Sequence, residues 1–129
     1  MRKLLLQMLV LFAISGCAIS QPAIQDITVI QPQENAIISS PLTVQGEAKG
    51  TWFFEASFPA KLVDSNGVVL AQGIMQAKSD WQTEDFVEFE GTLEFTTDAT
   101  EGELILQKDN PSGLPENDTE ISIPIRFSK

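Results

Sequence analysis

The sequence predicts an all-β domain, an antiparallel β-sandwich of about seven strands. Two observations lead there. Apolar residues recur at every second position in several short runs, and Gly, Pro or Asn-Gly turn signals separate those runs. No part of the domain carries a convincing helical period, no internal repeat is visible, and a small closed barrel is the runner-up architecture.

The run from Trp52 to Asp64 is the richest in aromatic residues, and Phe54, Ala56, Phe58, Ala60 and Leu62 alternate along it. A period of two marks a strand with one buried face, so all five are expected to point inward. Asn66-Gly67 then supplies the positive-φ residues of a tight hairpin, with Val68 to Ala77 returning beside the first arm. This hairpin is expected at the centre of the fold. Pro59 removes one ladder donor, which places it at a bulge or an unpaired position.

The remaining strands follow in order. Ile27-Thr28-Val29 is the first, and Gln33 to Ser40 reads as a turn-rich connection. Leu42 to Gly46 is the second, with Leu42, Val44 and Gly46 inward. Val87, Phe89, Gly91, Leu93 and Phe95 alternate with Glu88, Glu90, Thr92, Glu94 and Thr96, opposing an apolar face to a charged one. Exposed glutamates on such a face also discourage edge-to-edge aggregation. Glu103 to Gln107 forms a sixth strand on Leu104 and Leu106. Ile121, Ile123, Ile125 and Phe127 form a seventh, where the outward Pro124 suits an edge.

At 129 residues the chain has room for one domain, and its hydrophobic content of 43% suffices for a core. It opens on what reads as an export leader. Met1-Arg2-Lys3 is a basic n-region, and Leu4 to Ile14 is an apolar run too short to span a bilayer comfortably. Ile14-Ser15-Gly16-Cys17 resembles the bacterial lipobox, which implies cleavage before Cys17 and a diacylglycerol thioether on its sulfur, with fatty chains such as palmitate. The alternative is an ordinary secretory signal with an incidental cysteine. The expected organisation is a signal peptide at 1–16, lipidated Cys17 and tether at 17–25, and the domain at 26–129. Ala18 stands where an aspartate would retain a lipoprotein at the inner membrane, which favours the outer membrane if the cell has two. Eight tether residues reach at most about 27 Å, so the domain is expected close to the membrane.

Charge and composition exclude several function classes. Loss of Arg2 and Lys3 with the leader leaves 6 basic against 18 acidic residues, a charge of −12. Such a surface repels phosphate backbones, so no nucleic-acid partner is expected. The chain has no His and a single Cys, which removes the usual general base near neutrality, an internal disulfide and any Cys-cluster metal site. Ser57, Ser79 and Ser112 have no His to activate them, and a Ser–Lys pair would need Lys61, Lys78 or Lys108 desolvated beside one. Asp109 with Glu116 could imitate a glycosidase pair, but a domain of this size offers little cleft. The expectation is a non-enzyme without a cofactor.

Several motifs together resemble the immunoglobulin-like domain of bacterial spore-germination proteins. They are Ile27-Thr28-Val29 with Pro32, Ser40 to Gly46 (Ser-Pro-Leu-Thr-Val-Gln-Gly), Phe54-Glu55-Ala56 leading to Leu62 through Leu70, Phe89 to Phe95, and Ile123-Pro124-Ile125. The resemblance spans residues 26 to 127 and implies an immunoglobulin-like sandwich in an envelope protein, with no catalytic activity. Trp52-Phe53-Phe54 and the segment from Lys108 to Asp118 depart from it.

Immunoglobulin connectivity would gather three loops at one end, namely Ala48 to Thr51 with Trp52, Lys78 to Glu84 with Trp81, and Asp109 to Glu120. The N-terminus would share that end. Four readings of it stay open. Trp52, Phe53 and Trp81 with Asp109 and Asn117 form a recognition patch for another envelope protein. Or the same aromatics stack on an envelope glycan, with Asn110 and Glu116 as hydrogen-bonding groups. Or Asp109 and Asp118, with Asn110, Glu116 and Asn117, hold Ca²⁺. Or the tryptophans simply plug the sandwich beneath a rigid Pro-Gly-Pro lid.

Overall fold

The computed structural model describes residues 25–128. The leader, Cys17 and the tether up to residue 24 lie outside the described residues. Eight strands follow in chain order: β1 (Ile27–Gln31), β2 (Ile37–Ile38), β3 (Leu42–Lys49), β4 (Ser57–Asp64), β5 (Val69–Ala77), β6 (Phe86–Leu93), β7 (Glu101–Gln107) and β8 (Glu120–Phe127). Short 3-10 turns at Gly50–Trp52 and Pro115–Asn117 interrupt the connections after β3 and β7.

The strands form one curled sheet in the order β1-β3-β6-β5-β4-β7-β8-β2. Its two halves are joined only by the short β5–β6 ladder, Gln76 to Glu90 and Ala77 to Phe89. They enclose a common core. Phe58 of β4 meets Phe89 of β6 with ring centroids 4.9 Å apart, although β5 separates those strands in the sheet. The result is an immunoglobulin-like all-β domain rather than a closed barrel, since β1 and β2 remain the two edges.

Alternation builds this core as the sequence leads one to expect. Along β3 the residues are buried and half-buried by turns, and the buried set is Leu42, Val44, Gly46 and Ala48. A Cβ on Gly46 would collide with the Thr28 carbonyl and the Phe89 ring, so only glycine lets β1 lie against β3 here. Val87, Phe89 and Leu93 are buried on β6, Leu104 and Leu106 on β7, and Ile123, Ile125 and Phe127 on β8.

Five expectations need correction. The first concerns Gln33 to Ser40, which contains β2, paired in parallel with Arg126 and Phe127. Two residues are too few to show a period, and β8 rather than local pattern makes them a strand. Second, the aromatic strand begins at Ser57, not Phe54, and Phe54 is exposed. Third, at the hairpin Gly67 has positive φ but Asn66 does not. A four-residue connection is held instead by the Asp64 carboxylate, which accepts hydrogen bonds from the Asn66 and Val68 amides at 2.9 Å. Fourth, β6 ends at Leu93, leaving Phe95 beyond it with its ring 5.5 Å from that of Phe127. Fifth, β8 is not an edge strand, although Pro124 lies beyond its short pairing with β2. Pro59 is not at a bulge, since it stands opposite Ile74 in the β4–β5 ladder, but on its other side the β4–β7 ladder begins only at the next residue, Ala60, so Pro59 is unpaired toward β7 alone.

Candidate interaction surface

The three loops do gather at one end of the domain. The Gly50 amide donates to the Asp85 carbonyl at 3.1 Å, and the Asp109 amide donates to the Trp52 carbonyl at 3.0 Å. Gly50 is needed for this approach, since a Cβ there would strike the backbone carbonyls of Trp81 and Thr83. The described chain also starts at this end. The Lys49 amide donates to the Asp26 carbonyl at 2.8 Å, and the two side chains pair at 3.5 Å.

Within this end the aromatic residues divide differently from the sequence reading. Trp52 is 2% exposed and Phe53 4% exposed. Both pack edge-on against Phe58, at 5.6 and 5.2 Å between ring centroids. They belong to the core, so Trp52 closes this end of the domain and both rings face inward. Trp81 is half-buried on the rim.

Phe54 takes the outward place instead. The Phe54 amide donates to the Ser57 carbonyl at 2.9 Å and the Ser57 amide returns a bond to Phe54 at 3.2 Å. Glu55 and Ala56 between them have φ of 51° and 66°. Two successive left-handed residues make a type I′ turn, which glycine or asparagine normally occupies. Holding side-chain-bearing residues in that region costs of order 1 kcal/mol each. The turn shifts the register by which Phe54 would have pointed inward, and sets its ring 6.5 Å from Trp81. Phe86 is also exposed, on the outer face of β6 opposite Lys49, whose ammonium lies 5.9 Å from its ring centre. Periodicity hides Phe54, because it continues the alternation of the strand that follows. Phe86 is similarly masked as the residue before a clear strand.

The polar members of the candidate patch lie in the connection from β7 to β8. Asn110 donates through Nδ2 to the Leu114 carbonyl at 2.8 Å and to the Asp118 carboxylate at 2.7 Å. Ser112 donates to Asn110 Oδ1, and Asn117 donates to Ser112 Oγ at 3.0 Å. These side chains hold the loop to itself as a rigid lid. Asp109 is half-buried, whereas Glu116 and Asn117 are exposed. Asp109, Asn110 and Asp118 line a surface depression of about 540 Å³ with Pro59 and Glu120. Glu116 is not among its lining residues, so the imagined Asp109–Glu116 pair does not share a cleft. Among the described residues no three His, Cys, Asp or Glu side chains stand close enough to hold a metal ion.

Comparison with known families now decides the assignment. The family described as the immunoglobulin-like domain of bacterial spore germination (Gmad2) matches residues 26–113. The chain belongs to this family. The match runs from the start of the domain through β7 into the lid loop, so β8 lies outside it although it pairs with β7 from Glu101 to Gln107. No curated protein matches the chain.

Proposed function

We propose that this immunoglobulin-like domain is a non-enzymatic interaction or structural module of the cell envelope, held at the membrane by a lipid on Cys17. Its membership of the germination-type immunoglobulin-like family carries the reading, because that fold offers loops on a rigid scaffold rather than a catalytic pocket. The Ile14-Ser15-Gly16-Cys17 pattern supports the anchor. The recognition surface is then Phe54 and Trp81 with Asp109, Glu116 and Asn117. Trp52 and Phe53 support it from beneath. The glycan reading loses two of the three rings it relied on for stacking, Trp52 and Phe53.

Growth with radiolabelled palmitate tests the anchor. The native chain is expected to take up label and sediment with membranes, while Cys17→Ala loses the label and runs as the uncleaved form. Equal labelling of the two would contradict it.

A further inference from the structure

We infer that two copies of this chain pair about a two-fold axis through β2, with Ile37 of one copy bonded to Ile37 of the other. This surface lies at the end of the domain away from the loops and depends on neither the loop end nor the anchor.

The gap between the two edge strands carries the inference. Ile30 and Ile37 are the most exposed large apolar residues of the described chain, at 59% and 72%. They line one depression of about 430 Å³ with Pro32, Ala36, Pro41 and Leu42, so they share a surface. Ile30 stands at the irregularity that shifts the β1–β3 register between Val29 and Gln31. β1 ends here and β3 begins here, opposite the end where Asp26 meets Lys49.

The backbone adds a second, independent observation. The Arg126 amide donates to the Ala36 carbonyl at 2.9 Å, and the Ser128 amide to the Ile38 carbonyl at 3.0 Å. Alternation along β2 then turns the amide and carbonyl of Ile37 away from β8. β2 is the last strand of the sheet, so among the described residues no further strand meets them. An apolar side chain and an unpaired donor and acceptor thus stand open on one residue, which is the template a further strand uses.

Charge selects the strand that fits. From Ile27 to Gly46 the only charged residue is Glu34, and no charged residue lines the depression. Chains of net charge −10 repel one another over most of their surface, and here they can meet without opposing carboxylates. A cationic segment finds no countercharge in the same place. Antiparallel pairing of Ile37 with its own counterpart exchanges both hydrogen bonds across the axis, so the edge is complementary to itself. Ile30 and Ile37 of both copies then cover one another, adding the apolar burial that two hydrogen bonds alone lack. A strand of two residues offers no further ladder, and the assembly closes at two.

Cysteine cross-linking of the full chain in intact cells tests the pairing. Ile37→Cys sets two thiols at directly opposed positions, about 5.5 Å apart between Cα atoms and within reach of a disulfide. Mild oxidation is expected to give a covalent dimer on a non-reducing gel. Val68→Cys, 55% exposed in the β4–β5 hairpin, is expected to stay monomeric, as is the native chain with Cys17 alone. Adding Ile30→Asp to Ile37→Cys brings like charges across the axis and is expected to remove most of the dimer, with a melting curve showing that the chain still folds. Four results would overturn the inference: no dimer from Ile37→Cys, an equal yield from Val68→Cys, a yield unchanged by Ile30→Asp, or a different protein cross-linked in place of a second copy. Palmitate labelling is unaffected by any of them, so the anchor stands or falls separately.

Discussion

At the scale of single residues, the two tryptophans have opposite duties although the sequence presents them alike. Trp52 packs edge-on against Phe58 under a lid loop whose Asp109 amide donates to the Trp52 carbonyl. Trp52→Ala would remove a fully buried ring and leave a cavity, at a cost of about 3–5 kcal/mol. That is a large share of the stability of a domain this size. Trp81→Ala removes a half-buried ring and is expected to cost only about 1 kcal/mol. Urea melts of the two variants check this. A midpoint lowered far more by Trp52→Ala than by Trp81→Ala, with similar slopes, is the expected result. Composition alone does not separate them, because burial of an aromatic residue in a loop depends on what the remaining loops bring over it.

At the scale of elements, regular alternation was legible and short-range exceptions to it were not. The inward sets of β3, β6, β7 and β8 follow directly from apolar spacing, since one buried face fixes the register of the whole strand. Two features escaped for different reasons. β2 has only Ile37 and Ile38 and exists because β8 offers an unpaired edge at Arg126 and Phe127. The turn at Glu55-Ala56 lacks the glycine or asparagine that announces a type I′ turn, so Phe54 looked like the first inward residue of β4. This turn yields a prediction of unusual sign. Ala56→Gly relieves a left-handed strain that glycine does not feel, and is expected to stabilise the domain by about 0.5–1 kcal/mol. A melting temperature higher by a few degrees is the readout. A lower one would mean that the turn is not left-handed.

At the scale of the whole molecule, the fold sets the charged outer face of β3 and β6 apart from the end where the loops gather. Glu47 and Glu88 are register partners on the outer face of β3 and β6, with Glu90 beside them bonded to Gln45 and Lys78. The opposite outer face sets Lys61, Glu101, Glu103, Glu120 and Arg126 around the apolar Pro59, Ile74 and Ile105. The loops from β3, β5 and β7 converge where the described chain begins, as immunoglobulin connectivity demands once strand order is known. Strand order could be inferred from the sequence, and with it the location of this end. Which rings line it could not, because that depends on one 3-10 turn at Gly50–Trp52 and one left-handed pair behind it.

Acrylamide quenching of single-tryptophan variants tests this division between core and rim most directly. Trp81→Phe leaves Trp52 as the reporter, and Trp52→Phe leaves Trp81. The expected outcome is blue-shifted emission nearly immune to the quencher from Trp52, and readily quenched emission from Trp81. Equal quenching of both in folded protein would contradict the placement of Trp52 in the core, and with it the surface assigned to Phe54 and Trp81.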